Sequence, residues 1–313
     1  MLFLDGVGIG SRDRLVNPFF AARMPTLRGL LDGELPSLDR PRHAGRSATL
    51  LPLDATLGVP GLPQSGTGQM ALLTGINGAR LIGKHFGPHP YSTLRPAIDA
   101  HNVFRRVVQA DGRPAFVNAF PQRFFDVVKH RKSRLSAMTI SCLSAGVPLR
   151  RAEDLARGNG VSADLTGEGW HALGHPEIPV VTPQEAGHRL AALSATSTFT
   201  LFDYWKTDHA GHARSHEEAV QILERLDGLL EGTLARIDLD ETLLIVTSDH
   251  GNIEDLSTTS HTRNPVPLIL VTTRHRDVAR RIEHHGGAAP DLTHVLPVLL
   301  ETMCPDVESR RAP

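Results

Sequence analysis

The chain has 313 residues, 40% of them hydrophobic and only 5% aromatic, enough for a sizeable core in one large domain or two smaller ones. Lys and Arg total 33 against 34 for Asp and Glu, which leaves no basic excess to attract a nucleic acid or an anionic membrane surface. Cys142 and Cys304 form neither a disulfide framework nor a thiolate zinc pattern, and the absence of any long apolar run or signal-peptide pattern reads as a cytoplasmic protein.

The chain opens with MLFLD, a short apolar run that predicts a strand ending at Asp5 in the flexible GVGIG. Residues 65–75, SGTGQMALLTG, can open a helix after the turn LPQ. Helical spacing of Ile98, Val103, Phe104 and Val107 predicts one helix over 94–109, and PAFVNAF at 114–120 reads as the next strand. Between 121 and 179 apolar periodicity fades, which predicts a small irregular cap inserted into a core made of 1–120 and 180–305.

Regularity returns with a helix over 183–193, the strand FTLFDY at 199–204 and a long helix over 215–237. The strands TLLIVTSD at 242–249 and VPLILVT at 266–272 follow, then a helix over 291–303 and a flexible tail over 306–313. Strands apolar on both faces, such as TLLIV and PLILV, suit a central parallel sheet covered by helices on both sides. The expected fold is therefore α/β, with a mostly parallel sheet whose ligands bind beyond the carboxyl ends of the strands.

Four segments place acidic or imidazole groups at those ends: Asp5, Asp208 with His212 in KTDHAGH, Asp249 with His250 in TSDHGNIED, and His261 in SHTRNP. Singly, each has a plain explanation as a turn former or a hydrogen-bonded structural histidine. Jointly, carboxylates gathered at one rim would raise one another's pKa unless a cation neutralised them. Oxygen and imidazole ligands without thiolate suit two divalent ions, Mn²⁺ or Zn²⁺, with Mg²⁺ within range. Ser65 and Thr67 lie in a glycine-flanked turn at a predicted helix start, where an anion is favoured. Either hydroxyl is a candidate nucleophile, and Ser65 can equally be a helix cap. Gly251 suits a tight exit from the Asp249–His250 pair, while Asn252 and Glu254 either orient the ligands from behind or, as the plainer reading, are solvated loop residues.

Together TSDHGNIED, SHTRNPVPLIL, KTDHAGH, LDGVGIG and QSGTGQ resemble the alkaline phosphatase superfamily, especially the cofactor-independent phosphoglycerate mutase and phosphopentomutase branch. The likeness covers roughly 1–80 and 182–301. It implies one metal held by Asp208, His212 and His261, and a second held by Asp5, Asp249, His250 and the Ser65 hydroxyl. It also implies Ser65 as nucleophile, with Thr67 behind it, acting on a small phosphorylated metabolite as a phosphatase or phosphomutase. Gln64 and Gln69 depart from that branch's pattern. Lys84, Arg131, Lys132 and Arg134 are candidate grips for a second anionic group, although the 121–179 insertion is short beside the large arginine-rich insertion of phosphoglycerate mutases. A sulfatase or phosphodiesterase of the same superfamily is the nearest alternative, but QSGTGQ lacks the sulfatase nucleophile pattern. A non-catalytic metal-binding scaffold is the other, and the complete set of ligands speaks against it.

Overall fold

A computed structural model describes residues 1–131 and 134–303. In chain order its elements are β1 (Leu2–Leu4), α1 (Pro25–Leu30), β2 (His43–Ala44), β3 (Ala48–Leu53), α2 (Ser65–Thr74), α3 (Gly78–Ile82), α4 (Arg95–His101), α5 (Val103–Gln109) and β4 (Pro114–Phe116). There follow α6 (Gln122–His130), α7 (Ala137–Ser144), α8 (Ala152–Ala156), α9 (Glu168–His171), α10 (Pro183–Ser194), β5 (Phe199–Tyr204), α11 (Lys206–Ala213) and α12 (His216–Leu234). β6 (Leu244–Thr247), β7 (Val266–Val271), α13 (His275–Gly286) and α14 (Val295–Met303) complete the described chain.

The strands form one seven-stranded sheet in the order β2-β3-β7-β6-β1-β5-β4. β4, β5, β1 and β6 run parallel, β7 reverses against β6, and β3 reverses again, so the sheet is mostly parallel. Helices cover both faces, as the two-residue period of the strands requires. Phe3, Leu201, Ile245 and Leu268 point into the core beneath α2, α5, α7 and α14, whereas Leu2, Leu4, Phe202, Val246 and Ile269 point into the core beneath α1, α10 and α12. An apolar strand surface facing two helical layers is what makes LFL, FTLF, LIV and VPLILV apolar throughout.

Several expectations need correction. VPLILV is not a parallel strand: it pairs antiparallel on both sides, with β6 and with β3. Both faces are still buried, which is all that the apolar run reports. The helix expected over 94–109 is two helices, because Asn102 adopts extended backbone (φ −70°, ψ 158°) and its side chain caps α5 by accepting the Arg105 N–H. Of the 121–179 segment, Leu135, Ala137, Met138, Ile140 and Cys142 lie in the main core. Ala152, Leu155, Trp170 and Ile178 form a small cluster of their own with Ala119. The expected tail, 306–313, and Cys304 lie outside the described residues. Among the described residues no helix is long and apolar enough to cross a membrane.

Candidate metal centre

β1, β5 and β6 lie side by side, so their carboxyl ends discharge onto one rim. Asp5 follows β1, and Asp249 with His250 follows β6. Asp208 and His212, just beyond β5, lie one turn apart on α11, which brings both side chains to one face. His261 arrives in the connection between β6 and β7.

Those side chains form two adjacent clusters, Asp208–His212–His261 and Asp5–Asp249–His250. In the first, Nε2 of His212 lies 3.4 Å from Asp208 Oδ2, and Nε2 of His261 lies 3.7 Å from Asp208 Oδ1. The two Nε2 atoms are 3.2 Å apart. Each ring has its Nδ1 against a carbonyl oxygen, at Thr259 for His212 (3.3 Å) and at Pro63 for His261 (2.7 Å), so each Nδ1 carries the proton. Two imidazole lone pairs therefore face each other. That contact is repulsive unless a cation or a shared proton lies between them.

In the second cluster, Nε2 of His250 is 2.9 Å from Ser65 Oγ, 3.3 Å from Asp5 Oδ1 and 3.8 Å from Asp249 Oδ1. Asp249 and His250 are fully buried, and Asp5 Oδ1 and both Asp249 carboxylate oxygens have no hydrogen-bond partner. Orphaned buried oxygens are costly, and ligation is the usual remedy. An ion with ligand bonds of about 2.0–2.2 Å spaces tetrahedral ligands roughly 3.3–3.6 Å apart, close to the separations found in both clusters. The donor sets fit two divalent cations. The rings of His250 and His261 stack at 3.8 Å, which makes the two clusters immediate neighbours.

The electrostatics agree. Burial, with the neighbouring charge of Asp208, pushes the Asp5 carboxyl above its usual range, and burial with the charges of Asp5 and Asp208 pushes Asp249 up to about 8. Burial alone would lower His250, but the Asp249 and Asp5 carboxylates outweigh it and raise the imidazole to about 10. Burial and the charge of His250 lower His261 to about 4. Without a cation the cluster must retain protons.

Ser65 is the first residue of α2, and its hydroxyl faces His250; the N-cap position belongs to Gln64, which makes no side-chain cap. The first turn of α2 fits tightly, because a Cβ on Gly68 would stand 2.7 Å from the Asp249 carbonyl oxygen. Thr67 is turned elsewhere: its hydroxyl donates to the Gln64 carbonyl and accepts from the Phe86 N–H.

Behind the clusters, the structure favours the ligand-orienting reading of Asn252 and Glu254 over the plainer one. Both residues are buried. The Asn252 side chain donates to Asp208 Oδ1 at 2.6 Å. Glu254 accepts from the N–H groups of Gly8 (2.8 Å) and Asn252 (2.7 Å), the Asn264 amide (3.1 Å) and the Thr262 hydroxyl. One carboxylate thus ties the loops after β1 and β6 to the segment carrying His261. Gly251 is needed for close approach rather than for a turn: its φ is not positive, and a Cβ there would collide with Thr262 and Glu254. Asp203, on β5 in register with Phe3, was missed. Burial and the charges of Asp5 and Asp249 push its carboxyl well above the ordinary range. The strand-end rule did not reach it because Asp203 lies inside the strand.

Of the remaining candidates, Lys84 is exposed beside Phe86 and Tyr91, Arg134 is exposed, and Arg131 is an exposed residue at the end of α6. Lys132 lies outside the described residues.

The protein has an α/β fold of the alkaline phosphatase kind and carries two clusters of candidate metal ligands. Residues 182–303, which carry Asp208, His212, Asp249, His250 and His261, match the family model of the Metalloenzyme superfamily. Among curated proteins the chain is similar to 2,3-bisphosphoglycerate-independent phosphoglycerate mutases. The enzyme of Antithamnion sp. is 27% identical over 154 residues, covering 45% of this chain and 30% of that protein. The enzyme of Rippkaea orientalis is 29% identical over 149 residues, covering 41% and 27%. The chain thus spans less than a third of the length of these relatives.

Among solved structures, the PH0037 protein from Pyrococcus horikoshii superposes with a TM-score of 0.55 at 15% identity, over 96% of both chains. Alkaline phosphatase from the Antarctic bacterium TAB5 gives 0.50 at 11% identity, over 96% of this chain and 97% of that one. These likenesses establish the fold.

Proposed function

We propose that this chain is a two-metal phosphoryl-transfer enzyme, a phosphatase or phosphomutase, that uses Ser65 as nucleophile on a small phosphate monoester. The observation that carries this reading is the Ser65 hydroxyl, set at the first residue of α2 and 2.9 Å from His250 Nε2 inside the Asp5–Asp249–His250 cluster. Asp208, His212 and His261 would hold one divalent ion, Mn²⁺, Zn²⁺ or Mg²⁺, and Asp5, Asp249, His250 and Ser65 the other. Such ions lower the pKa of a ligated hydroxyl and neutralise charge on transferring phosphoryl oxygens.

The chain's own residues do the remaining work. With Ser65 at the start of α2, the positive end of the helix dipole would favour the phosphate there. The Nδ1–H bonds of His212 and His261 to backbone carbonyls hold both Nε2 lone pairs inward. Glu254 and Asn252 hold the ligand-bearing loops in register. Ser65 Oγ would attack phosphorus as the ester oxygen departs, forming a phosphoserine that passes its phosphoryl group to water or to another hydroxyl of the substrate.

The decisive experiment measures p-nitrophenyl phosphate hydrolysis by the metal-stripped protein, by the same protein given Mn²⁺ or Zn²⁺, and by Ser65→Ala. Activity that depends on added metal and vanishes in a folded Ser65→Ala variant supports the reading. Full activity of that variant overturns the serine mechanism. A panel of phosphorylated metabolites, assayed separately for released phosphate and isomerised product, distinguishes hydrolase from mutase.

A further inference from the structure

The segment Asp5–Gly8 runs between the two clusters. Asp5 places its carboxylate in the second, while Gly6 passes so near the first that a Cβ there would stand 2.5 Å from Asp208 Oδ1. Gly6 has a left-handed backbone (φ 67°), and glycine recurs at positions 8 and 10. A stretch so poor in side chains is fixed through its main-chain N–H and C=O groups, by whatever lies beside it.

Two sides hold it. Toward β5 and α11, the Asp5 N–H donates to the Tyr204 carbonyl at 3.3 Å, and the Asp5 carbonyl accepts from the Thr207 hydroxyl at 2.5 Å. That hydroxyl proton is shared with the Tyr204 carbonyl at 2.9 Å. Toward β6, the Gly6 carbonyl accepts the Ile253 N–H at 3.0 Å, and the Val7 N–H donates to the Ser248 hydroxyl at 2.9 Å. Ser248 gives its own proton to the His250 carbonyl at 3.0 Å. One hydroxyl thus joins the loop that follows Asp5 to the turn that carries Asp249 and His250.

Thr207 and Ser248 are fully buried, and each immediately precedes a candidate ligand, Asp208 and Asp249. Both hydroxyls bond to main-chain groups, so they act on the ligands through the backbone rather than on an ion or a substrate. Replacing either by an apolar group leaves buried main-chain partners unsatisfied, and the backbone must shift to find others. Asp5, with its backbone held from one side by Thr207 and its loop from the other by Ser248, moves with it.

We propose that Thr207 and Ser248 are positioning residues for the metal pair. Thr207 sets the spacing between the two ions by tying α11, which carries Asp208, to Asp5. Ser248 shapes the second site by tying the loop after Asp5 to the Asp249–His250 turn. This rests on the two-metal reading above and deepens it.

The test loads the full chain with Mn²⁺ and reads two quantities besides turnover. Stepwise Mn²⁺ affinity is measured by competition with a chromophoric chelator, and the magnetic coupling between the ions, which falls steeply with their separation, by electron paramagnetic resonance. Asp249→Asn and His261→Ala identify which binding step belongs to which cluster. Ser248→Ala is expected to weaken the Asp249 step by about 10- to 100-fold and to leave the His261 step unchanged. Thr207→Val, which keeps the shape and removes the hydroxyl, should alter the coupling between the ions, whereas Thr207→Ser should retain the wild-type signal. Circular dichroism checks folding, and should Ser248→Ala fail to fold, Ser248→Cys, which keeps the volume and weakens both hydrogen bonds, takes its place with the same selective loss expected. Affinity and coupling unchanged in folded variants overturn the positioning roles and leave the two-metal reading intact. Equal weakening of both steps in the Ser248 variant also overturns its role, because it marks a general loosening. A wild type that takes up fewer than two Mn²⁺ ions overturns both readings.

Discussion

The two ends of the sheet are built from the same apolar strands and behave differently. At the amino end, the starts of β1, β5 and β6 surround a cavity of about 530 Å³ lined by Met1, Phe199, Thr200, Leu244, Thr272 and Met303 among others. Among the described residues that line it, the orphaned buried polar atom is a hydroxyl, Thr200 Oγ1. Burial lowers the Met1 amine there to about 5. At the carboxyl end, Asp5 and Asp249 leave buried carboxylate oxygens unpartnered and imidazole lone pairs point at one another. Volume does not mark this site. Converging charge does, because such an arrangement needs a bound cation or retained protons to compensate it.

The contrast can be broken most severely by removing metal. Chelation is expected to lower phosphate-ester hydrolysis by about a thousandfold or more, since nucleophile activation and charge neutralisation are lost together. Readdition of Mn²⁺ or Zn²⁺ should restore it. Ser65→Ala should cost a similar factor while retaining the far-ultraviolet circular dichroism of the wild type, and Thr67→Ser, which keeps the hydroxyl bonded to Gln64 and Phe86, should leave the rate within a few-fold.

Next in size is Glu254→Gln. An amide would turn an N–H toward the N–H donors of Gly8 and Asn252 or toward the Thr262 and Asn264 contacts, unsettling loops that carry ligands of both clusters. Metal affinity, measured by competition with a chromophoric chelator, is expected to fall by about 10- to 100-fold. An unchanged affinity would show that the loops hold themselves in place.

The pH response sharpens the comparison further. Asp249 rises from 3.8 to about 8 in the metal-free fold, so its protonated form favours the native state below about pH 4, and that stability is lost as pH climbs through 8. His250, raised from 6.5 to about 10, acts in the same direction, with its contribution complete below about 6.5 and lost through 10. The Met1 amine has the opposite sign: its contribution is present above 8 and lost as pH falls through 5. Metal-free protein should therefore show a falling Tm from about pH 7 to 10, and bound metal should flatten that fall by replacing the protons. Asp249→Asn should lessen the slope in the metal-free protein.

The smallest effect belongs to the amino end. Thr200→Val replaces an orphaned hydroxyl by a methyl group of similar shape, and stability should change by no more than about 1 kcal/mol, toward greater stability if at all. Activity should be unaltered. A large loss of activity would mean that the cavity serves the reaction after all.

Much of this architecture was legible beforehand because its signals are local. Apolar runs report burial on both faces, so β1, β5, β6 and β7 could be placed, but burial is indifferent to strand direction and β7 was given the wrong one. β3, a strand of ATLLPL, went unread although it lies in the middle of the antiparallel half. α7 was assigned to an irregular insertion because a helix buried nearly all round has little amphipathic pattern to read. Asn252 and Glu254 are polar and follow a turn, which locally describes a solvated loop; what buries them is the segment of Thr262 and Asn264 closing over them.

The sequence by itself determined the kinds of ligand available, since Asp and His at strand ends carry oxygen and nitrogen donors whatever surrounds them. It also determined the two-layered covering of the sheet, which follows from strands apolar on both faces. Tertiary structure alone decided that Ser65 meets His250 across 185 residues, that two imidazole lone pairs confront each other, and that Glu254 ties three loops together. Periodicity and turn chemistry act over a few residues, whereas the free energy of a gathered charge cluster depends on separations in space, and those exist only once the chain has folded.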